Sequence, residues 1–130
     1  MPDRPLSPHL SVYRLSKYTI VSSITNRFTG IGLTVGFLVL LYWIMAILGG
    51  PETYQRAENA LAHPVFKVIL SGFLFAFSYH LIAGIRHLIW DTGRGMERGQ
   101  SQKSAWAVIT LSIVVTLVLI YVAFCPAVPR

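Results

Sequence analysis

The chain has 130 residues, 54% of them hydrophobic and 12% charged, with a net charge of +6; a soluble domain carries about 25% charged residues. One cysteine, Cys125, excludes an intrachain disulfide and a four-thiolate cluster, and no GxGxxG fingerprint or P-loop marks a nucleotide site. The positive charges sit at the ends of apolar runs rather than in a nucleic-acid footprint, which sets nucleic acid aside as a partner.

No Asp, Glu, Lys or Arg occurs from Phe28 to Pro51, from Val68 to Ile85, or from Ser104 to Pro129, windows of 24, 18 and 26 residues. A membrane-spanning helix needs roughly 20 apolar residues, and the 18-residue window reaches that length when Val65 and Phe66 join it. A soluble three-helix core would need a polar face on the third run, which has none. The reading is an all-α membrane protein: a single membrane domain, 1–130, with three transmembrane helices and an extended N-terminal arm.

In chain order, residues 1–20, MPDRPLSPHLSVYRLSKYTI, form the arm. Pro2, Pro5 and Pro8 oppose a helix there, so an extended segment against a partner at the membrane surface is expected. The first span covers 21–49 and stops at Gly49-Gly50-Pro51. Its apolar run starts near residue 28, behind 27 more polar residues, and exceeds the 7–15 apolar residues of a signal peptide, so it is not expected to be cleaved. With no Arg- and Ser-rich transit segment ahead of it, the expected location is a bacterial cell membrane rather than a mitochondrial inner membrane. An outer loop follows over 50–63, with room for a helical turn in TYQRAENALA. The second span covers 64–90, with Pro64 in its first turn, and ends before Gly93 and Gly95. An inner loop over 91–103 leads to the third span, 104–125, which stops at Pro126.

Arg4, Arg14, Lys17 and Arg27 flank the first span on its arm side, and Arg94, Arg98 and Lys103 occupy the inner loop, whereas the 50–63 loop carries Glu52, Arg56 and Glu58. The positive-inside rule therefore places the N-terminus and the second loop in the cytoplasm, and the C-terminus in the periplasm.

Ionisable groups at membrane depth mark function. On the second span, His80, Gly84, His87 and Asp91 share one helical stripe. Gly84 lets a flat group approach closely, and an imidazole in an apolar setting suits haem iron. His87 lies about 10.5 Å further along the axis, too far for the same iron but right for a carboxylate at a macrocycle's edge. A lone intramembrane histidine more often hydrogen-bonds a neighbouring helix than binds a metal. Arg86 lies off the stripe and is expected to snorkel toward the cytoplasmic surface. On the first span, Ser23, Arg27 and Gly30 share one face, and Ser22, Asn26 and Gly30 nearly share another. A hydroxyl beside a fixed cation suits a quinone carbonyl or a haem propionate; serine capping of the helix start is the plainer reading. Gly32 and Gly36 form a GxxxG pair, which permits close helix contact. Thr110, Ser112 and Thr116 are expected to bond carbonyls of their own helix.

Two signatures carry a family likeness. One is RPLSPHLSVY, Arg4 to Tyr13, followed by SITNRFTG, Ser23 to Gly30. The other is H-x-x-x-G-I-R-H-x-x-W-D, His80 to Asp91. With their spacing over three spans, the sequence resembles the cytochrome b membrane-anchor subunits of succinate dehydrogenase, respiratory complex II. The resemblance implies one haem b shared with a second small membrane subunit inside a heteromeric helix bundle. His80 matches the iron ligand, His87 and Arg27 match positions near the propionates, and Ser23 and Arg27 match positions in the ubiquinone pocket. It further implies an iron–sulfur subunit and a flavoprotein subunit that carries succinate oxidation. One departure is Asn26, where the family commonly has histidine.

Geometry adds an independent point. A six-coordinate haem needs a second ligand, and His9 and His63 belong near opposite membrane surfaces, so that ligand is expected from another chain. Two other readings stand beside this one. A quinol–fumarate reductase anchor would run the opposite direction. The other is a haem-free structural anchor or a proton relay through His80, His87 and Asp91; a relay would need polar residues continuing beyond His80, where Phe73, Leu74, Phe75, Ala76 and Phe77 stand and only Ser71 and Ser78 are polar.

Overall fold

The computed structural model describes residues 17–124, so the expectations for the arm over 1–16, for His9 and for Cys125 and Pro126 lie outside the described residues. Four helices follow in order: α1 Lys17–Leu48, α2 Pro51–Ala62, α3 Pro64–Asp91 and α4 Arg98–Phe124. Three of them, over Ile20–Leu48, Pro64–Asp91 and Arg98–Phe124, are long and apolar enough to cross a membrane.

The start of α1 lies four residues before the expected 21. The apolar run marks where lipid begins, not where the helix does. No proline follows Pro8 before Lys17, and the Tyr18 ring packs against Trp106 of α4 at 5.9 Å between centroids, which gives the first turn a tertiary contact. α4 likewise begins at Arg98, six residues before the expected 104. Its charged first turn is helical, with Ser101 N–H donating to Glu97 O at 2.8 Å.

The expected outer loop over 50–63 is a three-turn helix. Pro51 opens α2 with its φ already fixed for a helix, Glu52 and Arg56 pair one turn apart on its exposed face, and Ala57, Ala60 and Ala62 are strong helix formers in its second half. The break before it falls at Gly50, whose φ of 96° is open to a residue without Cβ. Thr53 ties the two helices together, its hydroxyl 2.8 Å from both the Ala46 and Gly50 carbonyls. His63 then caps α3, its Nδ1 accepting from Val65 N–H at 3.3 Å.

The long helices run antiparallel in succession, with α3 packed against both others. Without water to drive apolar surfaces together, membrane helices associate through close packing and hydrogen bonds. Both are present. A Cβ on Gly32 would lie 3.7 Å from Ala76, and one on Gly36 would lie 3.1 Å from the Phe73 ring, so the GxxxG pair faces α3. Between α3 and α4, Tyr79, Ala83 and Val108 are buried with Phe75, Ile82 and Ile109 around them. Ser78 bonds Leu74 O, Ser112 bonds Val108 O and Thr116 bonds Ser112 O, so these buried hydroxyls are satisfied within their own helices. The outward surface is a belt of large apolar side chains.

Gly36→Leu forces extra volume against Phe73 and should cost about 1–3 kcal/mol, read as a lower thermal midpoint of the detergent-purified protein, whereas Gly72→Ala, in open space, should leave that midpoint unchanged.

Candidate functional site

The end of the bundle remote from α2 gathers the polar groups. α1 and α3 cross there at Ser22, Asn26, Thr29 and Gly30, a stripe whose spacing of three and four keeps it on one face. His80 meets that stripe. Its Nδ1 lies 3.2 Å from the Asn26 backbone carbonyl and 3.4 Å from Thr29 Oγ1. The carbonyl only accepts, so Nδ1 carries the proton. The Thr29 hydroxyl spends its own hydrogen on Asn26 O at 2.9 Å and so presents a lone pair to the same Nδ1–H. Gly30 completes the contact: a Cβ there would sit 3.3 Å from His80 Cε1. A neutral imidazole held this way has its lone pair on Nε2, the arrangement of a metal-ligating histidine with a backbone acceptor behind it.

The donor set therefore fits a haem. Gly84, one turn along the stripe, has nothing within 4 Å of where its Cβ would be, so a planar group has access to the helix surface. His87 is exposed, its Nδ1–H donating to Ala83 O at 2.7 Å and its ring 5.4 Å from that of Trp90. Asp91 is exposed as well. Among the described residues no three His, Cys, Asp or Glu side chains gather into a metal cluster; the metal chemistry available here is that of a single axial imidazole.

Ser23 and Arg27 are exposed. They sit one position beyond Ser22 and Asn26, about 100° further round α1. α1 meets α4 through Tyr18, on the opposite flank of the α3 contact. On α3, the residues packed on α4 are Phe75, Tyr79 and Ile82, with the His80–Gly84 edge on the other flank. Ser23, Arg27, His80 and Gly84 thus border the open side of the α1–α3 pair, away from α4. An apolar cavity of about 570 Å³ lies elsewhere: toward α2, lined by groups including Phe37, Trp43, Phe73 and Phe77.

Arg86 departs from the sequence reading. Instead of snorkelling to the surface it is 5% exposed. Nε donates to Ser104 Oγ at 2.9 Å, Nη1 to Ser22 Oγ at 2.9 Å, and Nη2 to Ser101 O at 2.9 Å and Oγ at 3.3 Å. Its guanidinium carbon lies 4.0 Å over the Trp90 ring. Tyr79 Oη reaches Ser22 O at 3.3 Å beside it. Hydroxyls from α1 and α4 thus hold the cation where a carboxylate would be expected. Ser22 lies inside α1, not at its start, so capping does not explain it. The sequence offered a signal for this network in the charge on the flank of α3 that faces α4 and in the serines at 22, 101 and 104; the pairing itself needs the tertiary register. One orphan remains. Asn26 Oδ1 is buried without a hydrogen-bond partner among the described residues.

Fold and site together define a three-span integral membrane protein whose polar groups gather at one end of one helix pair. Comparison with known proteins narrows this. The chain belongs to the succinate dehydrogenase/fumarate reductase transmembrane subunit family, whose model matches residues 1–119. It is 38% identical over 122 residues to the succinate dehydrogenase cytochrome b556 subunit of Paracoccus denitrificans, covering 94% of this chain and 93% of that one. It is 34% identical over 116 residues to the cytochrome b556 subunit of Rickettsia felis, covering 89% and 90%. It is 36% identical over 115 residues to the mitochondrial cytochrome b560 subunit of Sus scrofa, covering 85% of this chain and 66% of that one.

Arg86→Met removes the shared donor of three helices and should cost about 2 kcal/mol, the scale of hydrogen bonds to a charged group. Arg86→Lys should recover only part of the loss, because an ammonium lacks the planar fork. Thermal denaturation of the purified protein measures both.

Proposed function

We propose that this chain is the cytochrome b membrane anchor of a succinate dehydrogenase, that it holds one haem b jointly with a second small membrane subunit, and that it forms part of the ubiquinone-reduction site. The observation that carries this reading is the His80 imidazole, with Nδ1–H committed to the Asn26 carbonyl and Nε2 left as a ligand nitrogen.

Haem, when bound, supplies a one-electron redox centre within the membrane. The chain's own residues do the rest. His80 Nε2 bonds the iron, and Gly84 leaves room for the ring. His87 and Arg27, toward the basic end of the helices, face the propionates. Arg27 also donates to a ubiquinone carbonyl, which Ser23 hydrogen-bonds, so that negative charge developing on the oxygen during reduction is stabilised. His80 would hold the iron from this chain, and the open side of the α1–α3 pair would receive the second subunit. Succinate oxidation belongs to a flavoprotein subunit, and an iron–sulfur subunit delivers electrons to the quinone at the basic end. By the positive-inside rule that end is cytoplasmic in a bacterial cell membrane.

A proton relay has less support. Beyond His80 the α3 face continues through Phe77, Ala76 and Phe73 into the apolar cavity, which offers a proton no chain of carriers.

His80→Ala should abolish the b-type absorbance of the purified complex, while His87→Ala should keep the bands; retention of the bands in His80→Ala removes His80 as ligand. Arg27→Ala should lower succinate–ubiquinone reductase activity roughly 10–100-fold, the equivalent of one charged hydrogen bond, with succinate oxidation by a water-soluble dye retained.

A further inference from the structure

The haem reading names an iron ligand but not what aims it. We infer that a socket on α1, made of the Asn26 carbonyl, the Thr29 hydroxyl and the bare Cα of Gly30, sets the orientation and basicity of the His80 imidazole, and that Thr29 and Gly30 are positioning residues acting through His80. The inference rests on the proposed haem ligation.

Three contacts converge on one edge of the ring. The Nδ1–H is shared between Asn26 O at 3.2 Å and Thr29 Oγ1 at 3.4 Å. Thr29 is oriented for that role because its own hydrogen is taken by Asn26 O at 2.9 Å, and it is only 6% exposed, so water does not compete for the hydroxyl. The third contact is steric. The ring edge lies where a side chain at residue 30 would begin, with 3.3 Å from His80 Cε1 to an added Cβ. That is tighter than ordinary van der Waals contact. The ring is tethered to α1 beside that point, so in yielding it lengthens the hydrogen bonds from Nδ1–H to Asn26 O and Thr29 Oγ1.

The electronic consequence has a sign. An acceptor behind Nδ1–H raises the basicity of Nε2. A more basic axial ligand stabilises ferric over ferrous haem, one of the levers by which a protein sets the potential. Weakening the socket should therefore raise the haem midpoint potential and loosen the iron–His80 bond. The residue at position 26 contributes through its main chain, so side-chain replacement there does not test the socket, whereas Thr29 and Gly30 do.

The test uses the purified four-subunit complex. Thr29→Val, an isostere without the hydroxyl, and Gly30→Ala should both retain b-type bands. Each should show a higher midpoint potential in an optical redox titration and a shifted low-spin ferric EPR signal. A carbon monoxide-reactive fraction absent from wild type should appear in the reduced complex, where the loosened ligand yields its site. Thr29→Ser should restore wild-type values by returning the hydroxyl. Haem-replete Thr29→Val and Gly30→Ala complexes with wild-type potential, EPR signal and carbon monoxide inertness would overturn the inference. So would a Thr29→Ser complex that behaves like Thr29→Val, since returning the hydroxyl would then make no difference. If Gly30→Ala fails to assemble, Thr29→Val and Thr29→Ser decide alone. His80→Ala separates the two levels: bands that persist in it sink the haem ligation itself, whereas bands lost in it alongside unmoved Thr29 and Gly30 variants sink only the socket.

Discussion

A guanidinium with no carboxylate partner among the described residues holds the basic ends of three helices together. Arg86 reaches α1 at Ser22 and α4 at Ser101 and Ser104, while Trp90 covers its face. A lone cation in hydrocarbon is costly; here several neutral oxygens and an aromatic ring replace its hydration. A guanidinium suits the task because its donors spread in a plane and reach different helices at once. The arrangement works only in one register. Sliding α1 by a turn would take Ser22 away from Nη1 and carry Asn26, Thr29 and Gly30 away from His80. The clamp and the histidine contact are thus two readings of the same helix alignment, and the GxxxG surface of α1 against Ala76 and Phe73 extends it toward α2.

The three spans were plain in the sequence because exclusion of charge over some 20 residues has few other causes. Helix ends were less plain. Hydropathy reports the lipid boundary, and Lys17–Thr19 and Arg98–Lys103 are helical without being apolar. α2 looked like a loop because its composition is polar, yet Pro51, the Glu52–Arg56 pair and the alanines favour a helix at the surface. At the site, the His80–Gly84–His87 stripe followed from periodicity alone. The role of Arg86 did not, because snorkelling and burial place the same residue type at the same depth and differ only in what the other helices offer. The socket on α1 was half visible: Gly30 stood out in SITNRFTG, but a backbone carbonyl as partner leaves no mark in a sequence.

α1 has two flanks with different fates. One meets α4 through Tyr18 and Trp106. The other, with Ser23, Arg27 and Thr34, is exposed beside the His80 edge. Thr34 is satisfied by the Gly30 carbonyl at 3.2 Å, but Ser23 and Arg27 make little sense against lipid alone, where each would need a partner. They are intelligible if another chain or a bound group covers them, as in the proposed shared haem. The asymmetry gives the chain a front and a back: a packed side that fixes geometry and a bare side where the proposed partner would seat.

The grip on His80 at position 26 is made by the main chain, and every residue type supplies the same carbonyl. A change of side chain at that position can therefore leave the imidazole undisturbed. What it would alter is the buried amide oxygen, which has no hydrogen-bond partner among the described residues, so its effect would fall beside the ring and not on the ring that α1 supports.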